Sequence, residues 1–438
     1  MNRRQFLRNS TLASIAVSLP KFSFAQAKGS DKIKVGLIGC GNRGCGAICN
    51  MIEADPNIKI VAVADLFEDR FKSHLPRISN FCAQKKISSD VFNIDKVEKF
   101  FGWNAVDNIL STDADLIVDA SPPVFRPGHF EKIINAGKHA FLEKPACVDV
   151  TQVRQMYKLA KLAQEKNLCV VCGTQRRHHS GYQEIIKRVQ DGEIGEIVSA
   201  DCYWHQGGYF GQGLWGEYTD EFCKDPEEIE YQIRNWPCFT WTSGDHIVEQ
   251  HVHNIDVVLW AMGDAKLPDI VRSVGGRSTD LEYPKYGDRF SHFATDFDMG
   301  EGIHIHSYAS QDPKSTQQIG EQVVGTKGYI YTNLYGTQTL MDPKGNLKWK
   351  APDSREALVQ EHADLLAAIR NGTYINTLNT LVNATLTAIT GRMSAYSGKQ
   401  FKFDWALSKS RESFMPKELK FGKKPISPIP IPGKNQLV

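Results

Sequence analysis

Three glycines and an aspartate have the types and the spacing that hold a dinucleotide. Gly39, Gly41 and Gly44 form the pattern Gly-x-Gly-x-x-Gly, directly after the apolar run 33–38 and at the start of a helical stretch. Asp65 comes 21 residues after Gly44, at the end of the next apolar run. Such glycines permit a tight turn and a close approach of backbone to a pyrophosphate, whose charge the helix N-terminus stabilises. We therefore expect a dinucleotide site on this loop.

The acidic residue that ends the second apolar run favours NAD over NADP. The carboxylate of Asp65 can accept hydrogen bonds from the adenosine ribose hydroxyls, and its charge repels a 2′-phosphate. Arg70 lies close enough along the chain to accommodate such a phosphate, so NADP stays open as the second choice. Asn42 and Arg43, in the first turn of the predicted helix, complete the cofactor-binding set on this loop. A Rossmann-like domain with an empty cleft is the alternative interpretation.

Five apolar runs between residues 30 and 175 predict the sheet that carries this loop. They show little polar alternation and are separated by helical stretches, among them 127–136 and 149–166, which is typical of a parallel sheet covered on both faces. Residues 30–175 are therefore predicted to form an α/β Rossmann domain. Its predicted strands are 33–38, 58–64, 116–120, 140–142 and 168–171.

The pattern changes after Gln175 and predicts a second, α+β domain over 176–420. A helix at 180–190 leads to a strand at 197–204 and then to a long stretch rich in glycine and aromatic residues at 205–244. Short glycine turns between the later strands favour antiparallel neighbours. Proline recurs in 421–438, which is predicted to be an extended arm. The later strands are predicted at 270–277, 290–299, 303–309 and 322–332, and the later helices at about 355–370 and 377–396.

Composition and charge narrow the choice of partners. Of the 438 residues, 41% are apolar and 23% are charged, which supplies a sizeable core and excludes a disordered or coiled-coil chain. The formal net charge is +2, and no run reaches the roughly 20 apolar residues of a membrane-spanning helix. We therefore expect a small-molecule substrate, no bound nucleic acid and no membrane anchor.

Residues 1–27 are predicted to be a twin-arginine signal peptide. The pair Arg3 and Arg4 stands in a basic start, a mildly apolar stretch follows near 12–19, and the sequence Ala-Gln-Ala at 25–27 offers small residues for cleavage. An ordinary Sec signal or an amphipathic arm is the alternative. The prediction implies export in the folded state and a periplasmic location.

Ten cysteines in an exported chain would ordinarily suggest disulfides. Cys40, Cys45 and Cys49 lie in apolar segments, however, and the pair Cys169 and Cys172 lies in a strand-like run. We interpret these thiols as reduced core residues of a chain that folds in the cytoplasm, and the redox spacing of the pair as core packing.

Glu143, Lys144 and Pro145 follow directly after the predicted strand 140–142, at the strand end where open parallel sheets place their ligands. Together with the glycine pattern, this sequence resembles the family of glucose–fructose oxidoreductase, inositol dehydrogenase and MocA. The resemblance covers about 32–400. It implies a Rossmann domain followed by an α+β domain with a large open, mainly antiparallel sheet, whose face often forms the contact in a homo-oligomer, a dimer or tetramer. Further stretches with the resemblance are 121–123, 135–139, 173–178 and 325–328.

The resemblance also implies a catalytic set. In the family a helix carries an acid and, four residues later, a histidine, and the matching residues here are Glu249 and His253. An i, i+4 pair shares one helix face. His253 would take the proton from a substrate hydroxyl, Glu249 would orient His253 and stabilise its cationic form, and Lys144 would hydrogen-bond the reacting oxygen. Glu143, Lys144 and Ser121 are also placed in the cofactor-binding set.

A metal site is the alternative interpretation of the same stretch. His246, Glu249 and His253, at i, i+3 and i+7, could share one face and bind zinc. We expect no metal, because hydride transfer to a nicotinamide needs none.

Aromatic and hydrogen-bonding side chains of the second domain are predicted to bind a carbohydrate. The candidates are Arg176, Trp204, Arg234 and Trp236, together with His253. Packing of the tryptophans in the core or at the rim, and a salt bridge at the domain boundary for Arg176, are the alternatives.

These expectations lead to an NAD(H)-dependent oxidoreductase that acts on a sugar, a cyclitol or a related carbohydrate. A redox-neutral glycosidase or lyase, which oxidises a sugar transiently and returns the hydride, is the second hypothesis. A sugar- or cofactor-binding protein without turnover is the third.

Overall fold

A computed structural model describes residues 32–208, 210–211, 214–217, 219–313, 315–333, 336–352 and 356–438. The predicted signal peptide, 1–27, lies outside the described residues. The described chain folds into an N-terminal Rossmann domain and a C-terminal α+β domain, as the sequence predicts.

A six-stranded parallel sheet forms the first domain, in the order β3-β2-β1-β4-β5-β6. β1 is a continuous apolar run because both of its faces are covered, and five of its six residues are buried. The strands are β1 Ile33–Ile38, β2 Ile58–Asp65, β3 Glu98–Phe101, β4 Leu116–Asp119, β5 His139–Leu142 and β6 Val170–Cys172. The helices are α1 Asn42–Ala54, α2 Asp69–His74, α3 Pro76–Lys85, α4 Ala105–Leu110, α5 Arg126–Asn135 and α6 Val150–Glu165.

The chain then passes through a 3-10 turn, Gln175–His178, into the second domain. The helices of this part are α7 Ser180–Gln190, α8 Ile229–Arg234, α9 Thr240–Ser243, α10 His246–Glu249, α11 Val252–Met262, α12 Ala357–Asn371, α13 Leu378–Ser397 and α14 Phe403–Lys409. The strands are β7 Ile197–His205, β8 Phe210–Gly211, β9 Leu214–Glu217, β10 Ile270–Gly276, β11 His292–Asp298, β12 His304–Ser310, β13 Gln318–Gly325, β14 Gly328–Thr332, β15 Thr339–Met341, β16 Leu347–Lys350 and β17 Phe401–Lys402.

Nine of these strands form one large sheet in the order β16-β15-β14-β13-β7-β12-β11-β10-β17. All of its pairings are antiparallel except the one between β7 and β12, so the predicted mainly antiparallel sheet is confirmed. Buried and more exposed residues alternate along β11 and β12, because one face packs on the core. One apolar cluster crosses both domains and includes Leu142, Ile255, Phe297 and Leu386.

Two segments from the C-terminal part return to the rest of the molecule. Leu365 and Ile369 of α12 belong to the apolar cluster of the Rossmann domain, and the amide of Val170 in β6 donates to the carbonyl of Ile375 at 2.8 Å. The proline-rich arm also packs: the Gly433 amide donates to the Ser397 carbonyl at 2.9 Å. The predicted boundary near 175 thus describes the sheets, while α12 covers the first domain.

All ten cysteines carry free thiols, nine of them buried and Cys223 half-buried. Burial raises the pKa of Cys45 to about 12 and that of Cys49 to about 11, so these thiols stay protonated. Cys169 and Cys172 lie in the core at β6, which confirms the core-packing interpretation of that pair. Within the described ranges, no helix has the length and apolar character needed to cross a bilayer.

Candidate active site

The turn between β1 and α1 needs glycine at two positions. Gly39 has a φ of 88°, and a Cβ there would lie 2.8 Å from the Ser121 amide nitrogen. A Cβ on Gly44 would lie 1.9 Å from the Gly39 carbonyl oxygen. The first glycine therefore lets this turn pass close to the loop after β4, and the third lets α1 pack against the turn.

The remaining glycine and the start of α1 fit a pyrophosphate. A Cβ on Gly41 would meet nothing within 4 Å, so the space in front of it is open. No side chain caps α1, and its first turn contains no acidic residue. The amide groups at this 13-residue helix start can thus donate to an anion and present the positive end of the helix dipole. These features are the ones that the NAD prediction requires.

Asp65 ties the glycine turn to the end of β2. Its Oδ2 accepts the amide of Cys40 at 2.7 Å, and its Oδ1 accepts the amide of Phe67 at 2.9 Å. Burial raises the pKa of the Asp65 carboxyl, which the two amide donors and the charge of Arg70 partly offset. The aspartate is therefore a cap for this turn, and each oxygen keeps a lone pair for a ribose hydroxyl.

Ser121, at the end of β4, is held in place by Asp119. The amide and the hydroxyl of Ser121 both donate to Asp119 Oδ1, at 3.0 and 2.6 Å. Its carbonyl accepts from Arg126 at 2.6 Å, and the same guanidinium donates to the carbonyl of Pro145. The buried Arg126 therefore joins the loop after β4 to the loop after β5.

Glu143, at the end of β5, forms an ion pair with Arg43 of the first turn of α1. A Cβ on Gly173 would lie 2.7 Å from the other carboxylate oxygen of Glu143, so glycine at this position leaves room for the acid. Two predicted cofactor residues, 100 positions apart in the sequence, are thus in contact at the end of β5. The pair links the pyrophosphate loop to the residue that precedes Lys144.

Lys144 and Glu249 meet across the two domains. The Lys144 Nζ donates to the Glu249 carbonyl at 2.7 Å and to its Oε1 at 2.8 Å. Both side chains are largely buried, with 14% and 7% of their surface exposed. An ammonium group carries three donors, so one donor of Lys144 remains for a further acceptor.

His253 lies close to this pair, but on a separate helix. The prediction of one helix face shared by Glu249 and His253 is wrong: α10 ends at Glu249, and α11 begins at Val252. The amide of His251 bonds five residues back to the carbonyl of His246, which widens the turn there. The buried His251 also anchors this turn to the sheet, 2.7 Å from the Ser307 hydroxyl.

The imidazole of His253 stacks on Trp204, with ring centroids 6.1 Å apart. Within the described residues no hydrogen bond joins it to Glu249, whose carboxylate bonds Lys144 instead. Burial lowers the pKa of His253 well below its ordinary value, and the charges of Lys144, Arg176 and Arg43 lower it further. The resting form is therefore the neutral imidazole, contrary to the expectation that Glu249 stabilises its cation.

Arg176 and Trp204 flank this histidine. The guanidinium carbon of Arg176 lies 5.9 Å from the Trp204 ring, and its NH1 donates to the buried Glu321 at 2.7 Å. Its Nε and NH2 have no hydrogen-bond partner among the described residues. Trp204 is 3% exposed, and its indole N–H donates to Gln206 at 3.1 Å. Both predicted residues thus adjoin the site, although Arg176 also has the salt bridge that the alternative interpretation proposed.

Arg234, a predicted substrate residue, is held by two acids. Its Nε donates to Glu230 at 2.9 Å, and its two terminal nitrogens donate to Asp69 at 3.2 and 2.9 Å. Phe67 and Phe222 lie 3.7 and 4.1 Å from the guanidinium carbon. Arg234 therefore links α8 to Asp69 at the start of α2. Trp236 is half-buried at the start of the 3-10 turn Trp236–Cys238.

The zinc alternative is not supported by the arrangement of its candidates. The Nδ1 of His246 lies 3.0 Å from the neighbouring Asp245 carboxylate, and Glu249 is paired with Lys144. Among the residues that the structure describes, no group of three or more His, Cys, Asp or Glu side chains is placed to hold a metal ion.

Several residues that complete the site were missed by sequence reasoning. Asp119, Arg126, Glu321 and Glu361 are buried polar side chains that contact predicted site residues. Asp119 ends an apolar strand, which is a usable sequence signal. Arg126 starts α5 only five positions after Ser121, whereas Glu321 and Glu361 reach their partners only through the tertiary fold.

Comparison with known proteins agrees with this geometry. Residues 33–174 match the Gfo/Idh/MocA model, described as the oxidoreductase family with an NAD-binding Rossmann fold. The N-terminal domain is therefore an NAD-binding Rossmann domain. The match to the family model covers this first domain.

The curated relatives cover part of the chain. Inositol 2-dehydrogenase 3 of Saccharopolyspora erythraea is 30% identical over 173 residues, which are 39% of this chain and 44% of that protein. A glycosyl hydrolase family 109 protein of Shewanella pealeana is 20% identical over 235 residues, 47% of this chain and 46% of that protein. The chain thus spans less than half the length of these two relatives.

A solved structure covers more of the fold. Scyllo-inositol dehydrogenase from Lactobacillus casei, with bound NAD(H) and scyllo-inositol, aligns with a TM-score of 0.60 and 20% identity. The alignment covers 85% of this chain and 100% of that one, so both domains share its fold.

Proposed function

We propose that this protein is an NAD(H)-dependent oxidoreductase that acts on a secondary alcohol of a sugar, a cyclitol or a related carbohydrate. The observation that carries the proposal is the meeting of Lys144, Glu249 and neutral His253 beside a glycine loop that fits a pyrophosphate. Oxidation of an alcohol removes a hydride from carbon and a proton from oxygen. Bound NAD supplies the hydride acceptor.

The side chains divide the remaining work. The third donor of Lys144 hydrogen-bonds the reacting oxygen and stabilises negative charge as its proton leaves. The neutral imidazole of His253 accepts that proton. Glu249 fixes the Lys144 ammonium through two contacts and so aims its free donor. The positive charges near His253 disfavour the imidazolium, which drives the proton onward to solvent.

NAD is favoured over NADP by the carboxylate of Asp65, while Arg70 is the nearby cation that could accept a phosphate. Arg43 and Glu143 hold the pyrophosphate loop beside Lys144. Asn42 and Ser121 complete the proposed cofactor set, the latter oriented by Asp119.

The carbohydrate class rests on the relatives and on the surroundings of His253. An inositol dehydrogenase shares 30% identity with part of the chain, and the aligned structure holds scyllo-inositol. Trp204 offers an apolar ring beside His253, and Arg176 has unused donors next to it. Together they can pack against and hydrogen-bond a polyhydroxylated ring.

The test mixes purified protein with NAD, or with NADP, and a panel of cyclitols and free sugars. Absorbance at 340 nm reports reduction of the cofactor. We expect at least one polyol to give turnover with NAD, and less with NADP. Binding of NAD by calorimetry without turnover on any polyol, aldose or uronate would contradict the oxidoreductase proposal.

A redox-neutral glycosidase is the second candidate, because a family 109 glycosyl hydrolase matches 47% of the chain. The same residues would serve it, since a transient oxidation needs the same proton acceptor. Release of the leaving group from an aryl glycoside, with no net change at 340 nm, would favour this candidate over the first.

We also propose that the protein is exported, already folded, to the periplasm and assembles as a homo-oligomer. Arg3 and Arg4 support the twin-arginine route, and ten free thiols suit a chain that folds in a reducing compartment. The open face of the large sheet presents the stacked pair Tyr203 and Tyr308, whose rings lie 5.7 Å apart. Export is tested by a Lys-Lys substitution at the arginine pair, and assembly by sedimentation.

A further inference from the structure

Helix α12 brings a fully buried acid to the glycine loop from the far end of the chain. Glu361 is 0% exposed, and its Oε1 lies 3.5 Å from NH2 of Arg43, 318 positions away in the sequence. Its Oε2 has no hydrogen-bond partner among the described residues. A buried carboxyl group is costly unless its contact is useful, so this placement requires a reason.

Arg43 is the group that this acid can act on. Its Nε pairs with Glu143 and its NH2 lies 3.5 Å from Glu361, while 37% of its side chain stays exposed. Neither acid contacts NH1, which can therefore face a ligand. A second acid at NH2 adds a second contact, which fixes the orientation of the guanidinium more closely than Glu143 alone.

Two further side chains of α12 contact other parts of the site. The ring of His362 packs on Phe141 of β5, the strand that leads into Glu143 and Lys144, with centroids 4.2 Å apart. Asp364 accepts from His178 at 2.5 Å, which holds the 3-10 turn that carries Arg176. About one turn of α12, residues 361–364, therefore reaches three elements of the site.

We propose that Glu361 is a positioning residue: its carboxyl oxygen holds Arg43 between two acids, and this sets both the pyrophosphate contact and the place of Glu143 beside Lys144. The inference rests on the proposed function, since it assigns a partner to the cofactor loop. It predicts that the oxygen matters more than the charge. Burial and the neighbouring Glu143 raise the pKa of Glu361 well above its usual range, so an amide oxygen can replace it.

The experiment compares Glu361→Leu, Glu361→Gln and the matched control Glu356→Gln, by calorimetric titration with NAD and by steady-state kinetics. Glu356 is an exposed acid at the start of the same helix, where it caps the Leu358 amide. We expect Glu361→Leu to raise the Kd for NAD about tenfold, the effect of one lost charge-assisted hydrogen bond, and to lower kcat. Glu361→Gln should stay within about threefold of the wild type, and Glu356→Gln should match it.

The outcomes separate the inference from the proposed function. A wild-type protein that does not bind NAD overturns both. A wild-type protein that binds NAD, with an unchanged Kd in Glu361→Leu, overturns the inference alone, as does a Glu361→Gln variant as impaired as the leucine variant. Should Glu361→Leu fail to fold, Gly173→Ala displaces Glu143 from the other side of Arg43 and is expected to raise the Kd for NAD in the same way.

Discussion

Lys144 and Arg234 are both cations that the sequence placed at a substrate cleft, and the structure uses them in opposite ways. The Lys144 ammonium donates two of its three N–H groups to Glu249. The Arg234 guanidinium donates to Glu230 and Asp69, and two aromatic rings pack against it. Lys144 thus keeps one donor for a ligand at the cleft, whereas Arg234, held by two acids and packed on two aromatic rings, joins parts of the fold.

Their positions explain the difference. Lys144 follows the end of β5, where the sheet edge and the glycine loop converge and α10 supplies one acid. Arg234 ends the short helix α8, which has to be fastened to the first domain, and Asp69 at the start of α2 provides the anchor. Sequence context shows that a strand end is near a ligand, but it does not show the partners of a helix in a long connecting stretch.

The largest effect is expected for Lys144→Ala. Removal of the donor that stabilises the reacting oxygen should lower kcat by roughly two to four orders of magnitude. The melting temperature should also fall, because the substitution leaves the Glu249 carboxylate, 7% exposed, without its partner. Steady-state kinetics and thermal unfolding measure the two quantities. Lys132→Ala is the control, since the exposed pair of Lys132 and Asp107 lies away from the cleft. Turnover within tenfold of the wild type would remove Lys144 from the mechanism.

Arg234→Ala should lower stability while sparing catalysis. Its side chain is 5% exposed and that of Asp69 is 30% exposed, so the free energy of unfolding should fall by about 2–3 kcal/mol. We expect kcat to stay within about threefold of the wild type, since Glu230 and Asp69 hold the Arg234 guanidinium at α8. Urea unfolding gives the first value and kinetics the second. A large loss of kcat with unchanged stability would restore Arg234 to the substrate site.

Much of the fold was predictable because its signals are local. Apolar runs with little alternation identified five strands of the first sheet, and short glycine turns identified the antiparallel strands of the second. β3 was missed because Glu98–Phe101 is an edge strand with charged and mostly exposed residues. The short strands β15, β16 and β17 carry too few residues to show a period.

Site residues that act through local backbone geometry were predictable from the sequence. Contacts between residues that lie far apart in the sequence were not. Gly39, Gly44 and Asp65 act through the turn that they themselves form. Glu249 contacts Lys144 and not His253, because a wide turn separates it from that histidine. Glu361 gives no local signal at all.

A smaller effect is expected at the end of β2, where Asp65→Ala tests cofactor choice. Loss of the carboxylate removes two amide contacts, which weakens binding of NAD and NADP alike. It also removes the repulsion of a 2′-phosphate, so the ratio of the two Kd values should shift toward NADP by roughly tenfold. Because the cap affects both cofactors equally, the ratio measured by calorimetry reports recognition alone. An unchanged ratio would leave Asp65 with the capping role only.

The smallest effect is expected in the pH dependence of kcat/KM, which reports the lowered pKa of His253. A histidine of ordinary pKa loses roughly half of its basic form at pH 6.5. His253 should lose far less, because burial and the charges of Lys144, Arg176 and Arg43 lower its pKa, so protonation begins only at more acid pH. We therefore expect kcat/KM to change less than about twofold between pH 7.5 and 6.5, with its acid limb below that range. A limb centred at pH 6.5 in the kcat/KM profile would show that the proton acceptor is solvated and that another group does the work assigned to His253.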